Sequence, residues 1–183
     1  MPKKINRRNF IKTAALVGTA VSVAPKSLIG TTASDQRVRL GFIGTGLRGQ
    51  WMLYLAAQRP DVDIAAICDI DNHMIGLAMD VIKQQGSPPP DIYNNGDEDF
   101  LNMVQRDDLD AVYIATPTDS HKKYALKVAA AGKPCCIEKP MAPRYEDCLV
   151  IVEHFKKKEL PLFVAYYRRT LPRFIKIKDW LDN

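Results

Sequence analysis

Cysteine and histidine are scarce in this chain, four of the first and three of the second among 183 residues. No cysteine pair has the C-x-x-C spacing, and no His, Cys and acidic residues recur at metal-ligand intervals, so neither a zinc site nor a disulfide framework is expected. Cys68, Cys135, Cys136 and Cys148 read instead as small buried hydrophobes. After the N-terminal segment no apolar run is long enough to span a bilayer. Positive charge is also missing where a nucleic-acid partner would need it. The formal net charge is +5, but Lys3, Lys4, Arg7, Arg8, Lys12 and Lys26 all precede Ser34 with no acid among them. The remainder, Ser34 to Asn183, carries about −1 and has no general pull on phosphate backbones, which excludes nucleic acid as the expected partner. An apolar fraction of 46% and a charged fraction of 26% are ordinary for a globular protein, and the length suits one well-packed domain.

The basic N-terminus has a pattern of its own. Asn6-Arg7-Arg8-Asn9-Phe10-Ile11-Lys12 sets paired arginines ahead of two apolar residues and a lysine, and small apolar residues run from Thr13 to Ala24. That run is short for a permanent membrane helix. The pattern resembles the bacterial twin-arginine (Tat) signal, whose cargo crosses the membrane already folded; an ordinary basic-flanked anchor is the alternative. The resemblance implies a signal over residues 1–33, the Tat translocase as export partner and a periplasmic destination. Thr31 and Ala33 suit cleavage after Ala33. Folding before export fits reduced thiols.

From Val38 onward short apolar runs alternate with amphipathic stretches, which predicts repeated βα units and a parallel sheet. Strands are expected at Val38–Ile43, Val62–Cys68, Ile92–Tyr93, Asp110–Ala115, Pro134–Ile137 and Pro161–Ala165. Helices are expected at Arg48–Gln58 (apolar through Trp51, Met52, Leu55 and Ala56), Asn72–Gln84, Asp97–Val104, Ser120–Ala131, Pro143–Lys157 and Leu171–Leu181. The fold class is therefore α/β: a doubly wound, six-stranded Rossmann sheet in order 3-2-1-4-5-6. Residues 34–170 are expected to form this dinucleotide-binding domain, and residues 171–183 to begin a linker helix.

Gly44-Thr45-Gly46-Leu47-Arg48-Gly49 is a G-x-G-x-x-G between a predicted strand and a predicted helix, the context in which that motif has meaning. Gly44 permits the tight turn, Gly46 lets backbone approach a pyrophosphate, and Gly49 allows close helix–strand packing. The helix N-terminus offers N–H groups and partial positive charge to phosphates, and Arg48 is placed to add a charged contact. Asp69 ends the second strand about twenty residues further on, where a carboxylate accepts from ribose hydroxyls and repels a 2′-phosphate. NAD is thus favoured over NADP. Asp71 can cap the following helix, which leaves Asp69 free for that role.

With Ala115-Thr116-Pro117-Thr118-Asp119-Ser120-His121 after strand four and Glu138-Lys139-Pro140 after strand five, these residues resemble the Gfo/Idh/MocA family from about Val38 to the end of the chain. The resemblance implies that Thr45, Leu47, Ala115, Thr116, Pro117 and Glu138 join the glycines and Asp69 around NAD. It also implies that Lys139 lies beside the nicotinamide and assists proton transfer from a substrate hydroxyl; without the resemblance Lys139 reads equally well as a surface lysine. His121 opens a helix whose capping falls to Asp119 or Ser120, so it faces either cofactor or substrate, or else solvent or a satisfied place in the core. His73 and His154 read as surface residues. Arg168, in Tyr166-Tyr167-Arg168-Arg169, is expected to reach cofactor or substrate.

Members of this family continue into a C-terminal substrate domain for which this chain has no sequence, and a homo-oligomer is the expectation at full length. The resemblance implies an oxidoreductase moving hydride between NAD and a sugar or polyol hydroxyl. The stretch from Gly41 to Gln50 also resembles NAD-dependent α-N-acetylgalactosaminidases of the same superfamily, in which bound NAD undergoes transient reduction during glycoside cleavage; the intact Glu138-Lys139-Pro140 leans away from that branch. A non-catalytic dinucleotide-binding fragment is the third reading.

Overall fold

A sheet built from aliphatic runs as short as these must cover both faces, and the chain does so with helices between successive strands. The computed structural model describes residues 37–182; the twin-arginine pattern and its cleavage position lie outside them. The strands are β1 (Val38–Ile43), β2 (Val62–Cys68), β3 (Asp91–Tyr93), β4 (Ala111–Ile114), β5 (Cys135–Ile137) and β6 (Leu162–Val164). They form one parallel sheet in order β3-β2-β1-β4-β5-β6, the Rossmann order expected from the sequence. The helices are α1 (Leu47–Ala57), α2 (Asn72–Gln84), α3 (Phe100–Val104), α4 (His121–Ala130), α5 (Tyr145–Lys157) and α6 (Pro172–Asp182).

Strand residues alternate between two cores. Phe42, Ile64 and Tyr113 pack with Leu53 and Ala56 of α1 and Ile75, Ala78 and Ile82 of α2. Ile43, Val112, Ile114, Cys135 and Ile137 pack on the other face with Phe100, Met103, Val128, Ile151 and Phe155 of α3, α4 and α5. At roughly 1.5–3 kcal/mol per fully buried aliphatic or aromatic side chain, these two layers are the main favourable term holding the sheet together.

The buried face of α1 matches the expected one only in part: Ala56 is buried and Met52 packs against the same core, but the rest of the row differs. Gly49, Leu53 and Ala56 face the sheet, whereas Trp51 and Leu55 are exposed and Trp51 stacks on Tyr54 at 5.4 Å. The helix sits so close to β1 that its contact row must pass through Gly49, which rotates the larger side chains outward. The helix expected from Asp97 begins at Phe100, because the Asp99 carboxylate accepts from Asn95 and Asn102 and holds the preceding residues in a turn. α6 follows its predicted span closely, but none of its residues is buried.

A cradle for a dinucleotide and a second cavity at Lys139

The sheet order reverses between β1 and β4, and the C-terminal ends of β1, β2 and β4 open there onto a cavity of 460 Å³. Gly44 leaves β1 with φ +91°, and a Cβ at this position would lie 2.8 Å from both the Ala115 carbonyl carbon and the Thr116 nitrogen. A Cβ on Gly49 would overlap the Gly44 carbonyl oxygen. Gly46, by contrast, has extended backbone with nothing within 4 Å of its missing Cβ, and it faces the cavity. Two glycines are therefore required by packing and the third keeps space open. α1 starts at this loop with no side-chain cap and no acid in its first turn, so no side chain competes with an anion for its N-terminus.

Asp69 holds the loop from the end of β2. Its Oδ2 accepts from Thr45 N at 2.6 Å and from Thr45 Oγ1 at 3.0 Å, while Oδ1 accepts from Asp71 N at 3.0 Å. The carboxylate is thereby oriented in the wall of the cavity that it shares with Gly44, Gly46, Ala115, Thr116 and Pro117. Asp71 caps α2 by accepting from His73 N at 2.8 Å, the capping role expected from sequence, whereas Asp69 is not left free but is engaged by the loop. Diphosphate-sized space at an uncapped helix N-terminus, beside an aimed carboxylate, fits an adenine dinucleotide. Gly44, Gly46, Asp69, Ala115, Thr116 and Pro117 would line it, with Thr45 and Gly49 behind them. Leu47 opens α1 with its side chain in solvent.

On the far side of α1's first turn lies a buried polar knot. Glu138 is 4% exposed; its Oε1 accepts from Arg48 Nε at 2.7 Å and from the Tyr113 hydroxyl at 2.6 Å, and its Oε2 from Lys139 N at 3.2 Å. Burial, then the bond to Glu138, pushes the Tyr113 phenol well above its ordinary range. Burial alone would lower the Arg48 guanidinium, but the hydrogen bond and charge of Glu138 raise it on balance. Lys139 lines a second cavity of 380 Å³ with Ala165, Tyr166, Tyr167, Arg168 and Arg169, and the two cavities share no lining residue.

The family of oxidoreductases with an NAD-binding Rossmann fold, Gfo/Idh/MocA, has a model that matches residues 38–166. The chain belongs to the Gfo/Idh/MocA family. It is 36% identical over 167 residues to a glycosyl hydrolase family 109 protein of Shewanella baltica, covering 81% of this chain and 36% of that protein. It is 34% identical to an α-N-acetylgalactosaminidase of Shewanella oneidensis with the same coverage. Its fold is similar to scyllo-inositol dehydrogenase from Lactobacillus casei with bound NAD(H) and scyllo-inositol, at TM-score 0.68, 21% identity, and coverage of 80% of this chain and 41% of that one. It is also similar to an NAD-binding protein from Listeria innocua, at TM-score 0.64 and 30% identity over 80% of this chain and 40% of that one. This Gfo/Idh/MocA chain thus spans a little over a third of the length of the curated relatives it matches.

Four of the cofactor candidates of this Gfo/Idh/MocA chain, His121, Glu138, Arg48 and Arg168, line no part of the dinucleotide crevice. His121 is 1% exposed, with Nδ1 facing the Pro140 and Met141 carbonyls at 3.1 and 3.3 Å and Nε2 facing the Thr116 carbonyl at 2.9 Å. Both ring nitrogens face backbone carbonyls, so His121 takes a buried place in the core and does not face the crevice. No side chain caps α4; the Ser120 hydroxyl turns back to the Pro117 carbonyl at 2.7 Å. Glu138 and the Nε of Arg48 are engaged with each other and not turned to a ligand, because a carboxylate this buried needs its donors inside the protein. Arg168 lines the second cavity and not the dinucleotide crevice. Tyr113 is the site residue that sequence reasoning missed. Its signal was a phenol inside an aliphatic strand, which must find a partner once buried.

Proposed function

We propose that this chain is the dinucleotide-binding part of an exported NAD-dependent oxidoreductase that oxidises a sugar or polyol hydroxyl, with Lys139 as its acid–base residue. The observation that carries this reading is the placement of Lys139, directly after the buried Glu138, beside a cavity of monosaccharide size at the carboxyl end of β5. NAD, when bound, accepts the hydride. Glu138 fixes the backbone of Lys139 through its N–H, and the Lys139 side chain holds the substrate hydroxyl and takes its proton. The Asp69 carboxylate accepts from the ribose hydroxyls and disfavours a 2′-phosphate, so NAD is preferred over NADP. Export rests on the Arg7-Arg8 pattern.

The test is oxidation of a panel of cyclitols and sugars by the purified protein, with NADH formation as readout, in parent and Lys139→Met forms. The variant should lose turnover by about 10²- to 10⁴-fold, the usual contribution of a general acid–base residue, while NAD affinity stays within about twofold. Undiminished turnover in Lys139→Met, or no oxidation across the panel, overturns the reading. A companion variant, Asp69→Ala, should weaken NAD binding by about tenfold and narrow its preference over NADP; unchanged NAD and NADP constants would remove Asp69 from the ribose site.

The names of the relatives at 34–36% identity support a second reading, glycoside cleavage. Release of an aryl leaving group from an α-N-acetylgalactosaminide without net NADH formation decides for it. Net NADH formation from a free hydroxyl decides for the dehydrogenase.

A further inference from the structure

We propose that the second cavity is a subsite for an anionic group on the substrate, a sugar carboxylate or a sugar phosphate, gripped by Arg168 and Arg169. The proposal rests on the reading that Lys139 stands at the reacting centre. Three of the six residues lining this 380 Å³ space are cationic, Lys139, Arg168 and Arg169, and none is acidic. None of the three takes part in an ion pair among the described residues, whereas most other arginines of the sheet domain do: Arg39, Arg48, Arg59, Arg106 and Arg144 each have a carboxylate partner. Such a concentration of unpaired charge in a concave surface focuses a positive field on whatever enters.

The cations are also held in place. Residues Tyr167–Thr170 form a 3₁₀ turn, closed by Arg169 N donating to the Tyr166 carbonyl at 2.9 Å and by the Thr170 hydroxyl donating to the Tyr167 carbonyl at 2.8 Å. The Arg169 guanidinium lies 5.3 Å from the Tyr166 ring and that of Arg168 6.0 Å from the Tyr167 ring, so each cation has an aromatic wall behind it. The field is felt by the wall itself: a hydrogen bond from Arg168, then the charges of Arg168, Arg173 and Arg48, lower the Tyr167 phenol. A planar guanidinium presents paired donors that match carboxylate and phosphate oxygens. The dinucleotide's own phosphates do not account for this charge, since the crevice with Gly46 and the α1 N-terminus shares no residue with the cavity. Among the described residues no carboxylate supplies a counter-charge to these three cations, and an anionic substrate group would.

The experiment measures binding of glucose, glucuronate and glucose 6-phosphate to the protein saturated with NADH, for the parent, Arg168→Gln/Arg169→Gln and Arg168→Lys/Arg169→Lys. One of the two anions should bind at least about tenfold more tightly than glucose, and whichever does identifies the group. The Gln pair should erase that preference, the Lys pair should keep part of it, and added salt should weaken it. NADH affinity and melting temperature should not change. Equal affinity for all three sugars, a preference that survives in the Gln pair, or loss of NADH affinity in the Gln pair overturns the proposal. The Lys139→Met turnover measurement separates the two ideas: anion preference that persists while Lys139→Met turns over normally refutes the hydride reading and leaves the subsite standing.

Discussion

Gly44→Ala should lower the melting temperature by roughly 10 °C, and Gly46→Ala, two residues away in the same motif, by no more than about 2 °C. The methyl group of the first has nowhere to go. Its carbon would meet backbone atoms of Ala115 and Thr116 at 2.8 Å, and the φ of +91° is itself strained for any side chain. Neither side can yield. Gly44 N donates to the Cys68 carbonyl at 2.8 Å, and Ala115 N donates to the Ile43 carbonyl at 2.8 Å, so both segments are pinned to the sheet. Backbone strain of roughly 1–3 kcal/mol and overpacking of roughly 1–3 kcal/mol together make a loss of about 3–4 kcal/mol. At about 2–4 °C per kcal/mol for a domain of this size, that gives the stated shift. The methyl of Gly46→Ala meets nothing in the protein and enters the crevice instead. That variant should fold normally and bind NADH at least about tenfold more weakly, because the diphosphate needs the space. Thermal melts and NADH titrations of both variants check the pair. Equal stability losses would mean that the motif acts as a single structural turn, and undiminished NADH affinity in Gly46→Ala would remove the dinucleotide from this loop.

Glu138→Ala should cost about 2–4 kcal/mol, somewhat below the usual 3–5 kcal/mol for breaking a buried ion pair because Arg48 is partly in solvent. The carboxylate serves three donors at once, and its removal leaves the buried Tyr113 hydroxyl and the Arg48 Nε facing an empty space. Glu138→Gln keeps one acceptor and should cost less. The decisive measurement is a double-mutant cycle with Arg48→Leu, read by denaturant unfolding. A coupling energy of about 1–3 kcal/mol is expected for groups that share one network, and a value near zero would dissolve the knot into independent contacts. The variant should also change how Lys139 performs, since Glu138 Oε2 holds the Lys139 backbone N–H.

The strand order and the glycine cradle were legible because they follow from local rules: apolar runs of strand length, glycines at the first turn, a carboxylate at the end of β2. Asp71 was legible as the cap of α2, but the bonds that engage both Asp69 oxygens, from Thr45 and from Asp71 N, were not. The face of α1 was legible only in part. Periodicity marked Trp51 and Leu55 as buried, but close approach of helix to strand runs through Gly49 and overrides hydrophobic pattern. The roles of Arg48, Glu138 and His121 were hidden for a different reason. Each was read by its nearest motif, while its partner lies far along the chain: Glu138 from Tyr113 and Arg48, His121 from Pro140. Charge and aromatic residues side by side in Tyr166-Tyr167-Arg168-Arg169 could be seen, but which cavity they face is a property of the fold.

The imidazole of His121 spans from the Thr116 carbonyl, on the turn leaving β4, to the Pro140 and Met141 carbonyls behind Lys139. Whichever ring nitrogen carries the proton, the ring donates to one of these segments and packs against the other, so α4 is anchored between them. The turn after β4 and the loop after β5 are thereby kept in register by a buried side chain and not by the sheet alone.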